Sequence, residues 1–346
     1  IRERFVGVLM HMADALLSPA VGAGMWAVTG TAIAVASAKM KKSLDQRQVP
    51  LMGIMGALVF SVQMLNFTIP GTGSSGHFAG GLLLAILLGP HAGFLTIASV
   101  VTVQALFFAD GGLLALGANI FNMGFLACYI VYPFLYRPFA VGKQAKPVTW
   151  LCAVLALQLG AFGVVLQTSL SGIAELPFST FLLAMQPIHL AIGIGEGLIT
   201  LAVVELLART EPGLLRADRP ALPGKRALAA LAVLAVLSGG IFSWFASSHP
   251  DGLEWSIGRL VGEGKELEGA DDGLHALAAQ IQEKLSFLPD YGFPKTEAEG
   301  AEEAAAEDGF VHPDAGTTLS GLVGGAIVLA LAMLAGMLLK RRPETA

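Results

Sequence analysis

Eight apolar runs, at roughly 16–38, 51–69, 79–108, 113–136, 148–170, 181–208, 227–247 and 319–339, decide what this chain can become. A hydrocarbon layer about 30 Å thick takes about 20 apolar residues of helix to cross. Backbone in lipid must satisfy its own polar groups, which leaves helices as the structure for runs this long. With 54% hydrophobic and only 14% charged residues, against roughly 25% charged in a soluble domain, the expected fold is an all-α membrane protein. The 42 glycines fit, because small residues let transmembrane helices approach closely. Cys128 and Cys152 lie inside apolar runs and read as buried thiols, not as a disulfide. No basic cluster with interleaved aromatics points to nucleic acid.

Charge sets the expected topology. Basic residues gather at Lys39, Lys41, Lys42 and Arg47; at Arg137, Lys143 and Lys146; from Arg209 to Arg226; and at Lys340–Arg342. Cytoplasmic loops carry the Lys/Arg excess, so an even number of crossings should separate successive clusters. The run 79–108 is therefore expected to cross twice, broken at Gly89-Pro90, since proline lacks the backbone donor and disfavours helix in the residue before it. The result is a seven-helix bundle over 10–209, a cytoplasmic linker 210–226, and a second unit 227–346. That unit has helices 227–247 and 319–339 flanking a small extracytoplasmic segment, 248–318. The segment holds 16 acids against 4 bases, a net charge of −12, and its tract Glu297–Asp308 reads as a disordered acidic spacer. The N-terminus falls outside and the C-terminus in the cytoplasm of a bacterial or archaeal cell membrane, with lipid as the surrounding solvent.

Residues 1–9 read as a start-site or cloning extension, because Met10 opens a new pattern, Met-His-Met-Ala-Asp. With Met10 as first residue, its α-amine, the His11 backbone nitrogen and the His11 imidazole can grip one ion through fused chelate rings. A second imidazole would complete a four-nitrogen plane of the kind that suits Ni(II), while imidazole also serves cobalt. Such a site releases protons on binding. An uncleaved extension would remove the free amine. The natural fourth ligand is His77, which follows the uncharged Gly71-Thr72-Gly73-Ser74-Ser75-Gly76 segment, expected to be a flexible loop.

These residues carry a family resemblance. Met10-His11-Met-Ala-Asp14, Gly73-Ser74-Ser75-Gly76-His77, Phe108-Ala-Asp-Gly-Gly-Leu, Leu116-Gly-Ala-Asn-Ile-Phe-Asn-Met123 and the stretch His189 to Glu196 resemble the CbiM/NikM substrate-binding subunits of cobalt/nickel energy-coupling-factor transporters. Pro250-Asp251-Gly252-Leu253-Glu254, with Leu288-Pro-Asp-Tyr291 and a final helix, resembles the companion CbiN/NikN unit, fused here. The resemblance implies that Met10, His11 and His77 hold Co(II) or Ni(II) as transported substrate, with no cofactor. Asp14, Asn66 and Ser75 become candidates for orienting the ligands, the alternative being ordinary loop capping. It also implies a transmembrane coupling subunit of CbiQ/NikQ type, cytoplasmic ATPases of CbiO/NikO type, and a companion unit that assists metal loading. A −12 segment beside the loop would concentrate cations; Asp251 and Glu254 read as a packed structural turn, and His249, His275 and His312 as surface histidines.

His189 and Glu196, seven apart on one helix face, form a possible intramembrane polar pair, either functional or a packing hydrogen bond. His91 follows the Gly89-Pro90 break on the opposite side from the ligand set. Gln63, Gln104, Asn119 and Asn122 read as buried glue. Gly30-Ala34-Ala38 and Gly53-Ala57 are small-residue seams. No Walker loop is present, so the chain is expected to be a transporter subunit without ATPase activity of its own, not an enzyme. A metal-dependent intramembrane hydrolase would need a His-Glu-x-x-His cluster, which the sequence lacks. An ion-coupled secondary transporter and a membrane metal sensor stand as alternatives, with a slight lean to nickel for the transported ion.

Overall fold

The computed structural model describes residues 11–43, 45, 48–174, 176–211, 213, 224–262, 273–293 and 313–339. Met10 and the extension before it, Arg47, the acidic tract 297–308, His312 and Lys340–Arg342 lie outside the described residues. The chain is an all-α membrane protein. Helices α1 (Pro19–Ser43), α2 (Val49–Gln63), α3 (Gly81–Leu88), α4 (Pro90–Phe107), α5 (Leu116–Phe139), α6 (Ala145–Ser171) and α7 (Phe178–Thr210) form the first bundle. Much of α5 is π-helical, over Phe121–Tyr136, with Pro133 inside it. Helix α8 (Lys225–Gly240) and α11 (Ala315–Leu338) flank two shorter amphipathic helices, α9 (Gly252–Val261) and α10 (Gly273–Leu285). Among the described residues, six helices are long and apolar enough to cross a membrane: α1, α4, α5, α6, α7 and α11.

The run 79–108 is two helices, broken where expected. Gly89 has φ 81 and ψ 166, a conformation open only to glycine. The chain doubles back there. A Cβ on Gly93 would stand 2.8 Å from Ala85 N, so the two helices meet backbone to backbone. Eight residues of α3 rise about 12 Å, less than half a bilayer. The remaining depth is taken by the segment 64–80, which descends into the bundle. Gly76 packs on Ile192, Gly80 on Val59, and Gly81 against the Met123 carbonyl. Non-helical backbone at such depth is tolerated only where protein surrounds it.

The reading of Gly71–Gly76 as a flexible loop is corrected: it is the turn and second strand of a hairpin. Strands β1 (Phe67–Ile69) and β2 (Ser74–Gly76) pair antiparallel, with Thr68 opposite Ser75. The second unit clasps this hairpin. Ser247 N donates to Asn66 O (2.7 Å), Ser75 N to Pro250 O (2.8 Å), and Trp255 Nε1 to Thr72 O (3.0 Å). These partners lie some 180 residues along the chain, where local pattern cannot reveal them.

The second unit's long helices seat on glycine. A Cβ at Gly53 would strike Met333 and the Leu329 carbonyl, and one at Gly324 would strike Phe60. Gly321 of α11 lies directly on Gly239 of α8. The Gly53-Ala57 seam is therefore internal packing, whereas nothing lies within 4 Å of a Cβ at Gly30. Gln104 donates to Gln63, and Asn122 and Gln167 exchange amide hydrogen bonds of 2.8 and 3.0 Å, the buried glue expected of such residues. Cys128 and Cys152 are free and buried.

Candidate metal centre

Four polar side chains converge at the end of the bundle where α1 begins. The segment Met12–Leu17 is fastened there from several directions. Asn119, at the start of α5, accepts from Met12 N (3.1 Å) and donates to Met12 O (3.0 Å). Asp14 Oδ1 accepts from Ala115 N at 2.8 Å. His275 of α10 reaches Asp14 O and Leu17 O at 3.1 and 2.9 Å. His275 thus fixes a buried turn and is not a surface histidine.

This framework buries His11 to 3% exposure. Its Nδ1 stands 2.9 Å from Asp110 Oδ2, in the turn between α4 and α5. Its Nε2 is buried with no hydrogen-bond partner among the described residues. The His77 ring tilts 39° to that of His11, with centroids 5.5 Å apart. With metal–nitrogen bonds of about 2 Å, an ion shared by two imidazoles holds their centroids roughly 4.5–6.4 Å apart, from cis to trans. The observed spacing falls within that reach. His77 Nδ1 faces Asp251 Oδ2 at 3.6 Å. Asp251 caps α9 through its other oxygen, which accepts from Leu253 N and Glu254 N at 2.9 Å each. The turn expected at Asp251 is there, and it also reaches the histidines.

The first pair is held charged, and the second is pushed toward its neutral forms. Burial disfavours a charged His11, but Asp110's charge and hydrogen bond outweigh it and raise the imidazole above its usual range. Asp110 is lowered: burial pushes it up, and the charge and hydrogen bond of His11, with that of Tyr291, overcome this. His77 is driven down to about 3 by burial and by His11's charge. Burial lifts Asp251 to about 7, against the hydrogen bond from Glu254 N. A neutral imidazole is a ready metal ligand.

The other predicted residues are dispersed. Ser75 Oγ donates to His249 O at 2.7 Å, tying the hairpin to the second unit. Asn66 serves Ser247 through its backbone carbonyl. Among the described residues no hydrogen bond or ion pair joins Asp14, Asn66 or Ser75 to either imidazole. His189 and Glu196 are not paired with each other, which corrects that expectation. His189 Nδ1 bonds the Met185 carbonyl at 2.8 Å. Glu196 accepts from Ala79 N (2.7 Å) and Gly80 N (3.0 Å), the two amides just ahead of α3. Both line a cavity of about 80 Å³ that runs inward from His11 and His77 past Asn122 and Met123. His91 bonds the Tyr129 hydroxyl instead, away from the site. Sequence reasoning missed Asp110 and Asp251 as neighbours of the imidazoles. The Ala-Asp-Gly-Gly turn was the only local signal for the first. Among the described residues no three His, Cys, Asp or Glu side chains form a metal-holding group.

Apolar helices enclosing two imidazoles and two carboxylates at one end define a multi-pass membrane protein with a candidate site for a cation. The chain belongs to the CbiM family: the model described as the cobalt uptake substrate-specific transmembrane region matches residues 11–214, and a PDGLE domain model matches 225–341. It is similar to the provisionally named fused nickel transport protein NikMN of Archaeoglobus fulgidus, 35% identical over 97% of this chain and 100% of that one. It is 32% identical to the fused nickel transport protein NikMN of Rhodobacter capsulatus, over 66% of this chain and 71% of the other. A crystal structure of a truncated transition metal transporter superposes with a TM-score of 0.52 at 32% identity, covering 58% of this chain and 99% of that one.

Proposed function

We propose that this chain is the substrate-binding membrane subunit of an ATP-driven energy-coupling-factor transporter that imports Co(II) or Ni(II), with a slight lean to nickel. The observation that carries the reading is the approach of His11 and His77 to 5.5 Å at the mouth of a buried cavity. The Met10 amine and the His11 backbone nitrogen complete the proposed donor set with the two imidazoles. Planar nitrogen donors suit Ni(II), and selectivity against copper then rests on geometry and supply.

Only Nδ1 of an imidazole can share fused chelate rings with its own backbone nitrogen. At His11 that atom faces Asp110. Capture then exchanges the His11 proton for the ion and leaves the Asp110 charge beside it, so binding strengthens as pH rises. The site end is extracytoplasmic in this reading. It is supported by Lys39, Lys41, Lys42, Arg137, Lys143, Lys146 and Arg209 at the opposite end of the bundle. Release inward requires the His77 hairpin to move, driven by a CbiQ/NikQ-type coupling subunit and CbiO/NikO-type ATPases.

Metal analysis and calorimetry on protein beginning at Met10, with His77→Ala beside it, test the site. One ion per chain and a large loss in the variant are expected, and unchanged affinity in His77→Ala removes His77 from the donor set. Uptake with and without the ATPase partners separates this reading from a secondary transporter or a sensor, since only the former needs them.

A further inference from the structure

Tyr291 belongs to the second unit, 181 residues from Asp110, yet its hydroxyl donates to Asp110 Oδ2 at 2.6 Å. That same oxygen stands 2.9 Å from His11 Nδ1. Tyr291 is buried, and it is held at every point. Its ring stacks on Phe108 at 5.0 Å and 14°, its carbonyl accepts from Ser320 Oγ of α11 at 2.8 Å, and its amide bonds Leu288 O. The neighbouring Asp290 N donates to Phe108 O, and Leu288 N to Phe107 O.

The backbone around this contact is strained. Among the described residues, three other than glycine have positive φ: Ala109 (56°), Asp290 (52°) and Tyr291 (60°). All three lie in the two turns that bring Tyr291 to Asp110. A left-handed conformation costs an L-residue roughly 1–2 kcal/mol. Such strain persists only where surrounding contacts over-determine it, and it gathers at functional sites. A phenylalanine would stack on Phe108 equally well; what the tyrosine adds is a hydroxyl that donates to the Asp110 oxygen and also meets the Gln104 side chain.

The geometry points to Tyr291 as a positioning residue of the metal site, fixing Asp110 beside His11 Nδ1 so that its charge stays next to the ion that replaces the His11 proton. This rests on the metal-binding reading above and extends it, because the second unit then supplies a working part of the site. Outer partners of this kind typically contribute ten- to a hundredfold to metal affinity.

The test is a double-mutant cycle by Ni(II) calorimetry on the full chain from Met10 in detergent. It compares wild type, Tyr291→Phe, Asp110→Asn and the double variant, with thermal unfolding recorded for each. Tyr291→Phe keeps the ring stack and is expected to lose about tenfold in affinity at an unchanged unfolding temperature. In the Asp110→Asn background the same change is expected to cost less than about twofold, because its partner is already altered. A Tyr291→Phe protein that binds as wild type does, or one whose loss persists in full without Asp110, overturns the assignment. Wild-type protein that binds neither Ni(II) nor Co(II) overturns the transport reading, and this one with it.

Discussion

The two imidazoles sit in contrasting company. His11 and Asp110 both come from the first bundle, are buried, and stand 2.9 Å apart as a charged pair. His77 is 15% exposed at its side chain, and its carboxylate neighbour belongs to the second unit, 3.6 Å away and engaged in capping α9. A separation of 3.6 Å is not a hydrogen bond. The difference teaches that one half of the site is set by the bundle itself, while the other half is held where two units of the chain meet.

The comparison can be broken at its strongest point first. His11→Ala should reduce Ni(II) affinity more than about a hundredfold, beyond what an orienting partner contributes. Near-wild-type calorimetry would erase the distinction between the halves. Asp110→Asn should cost about ten- to a hundredfold, whereas Asp251→Asn should cost less than about threefold, since the contact it alters is long. Equal losses would mean that the second carboxylate is as tightly engaged as the first.

Stability sharpens the contrast further. Asp251→Ala removes the α9 cap and should cost about 1 kcal/mol in thermal unfolding, while Asn retains the cap. The last effect is one of pH. Asp251 is raised from 3.8 to about 7 by burial. Between those values the unfolded chain binds fewer protons than the folded one, so this group's contribution is fully present below about pH 4 and is lost as pH rises through about 7. Asp251→Asn should therefore gain on wild type over that interval and hold a constant lead above it. A constant difference across the whole range would place Asp251 in an ordinary environment.

The legible part of the molecule was the part written locally. Apolar runs gave the helices, and Gly89-Pro90 gave the break, because a glycine-only backbone and a missing donor are properties of two adjacent residues. His11 and His77 stood out for chemistry that few side chains offer. The course of the chain ahead of α3 was hidden, since an apolar segment reads alike whether it lies in helix or dips as chain between helices. Asp251 looked like a cap and is one; nothing in its neighbours says that its second oxygen looks toward His77. The partners of Glu196 were equally hidden, being main-chain amides of Ala79 and Gly80 that carry no mark in the sequence.

Those two amides give α7 a grip on the stretch leading from His77 into α3. The carboxylate of Glu196 is carried on a 33-residue helical rod, and the peptide it holds lies two and three positions beyond the imidazole. Any tilt of that rod must either snap both bonds together or drag the imidazole along with it, so a push delivered far from the mouth can be felt there without any rearrangement between.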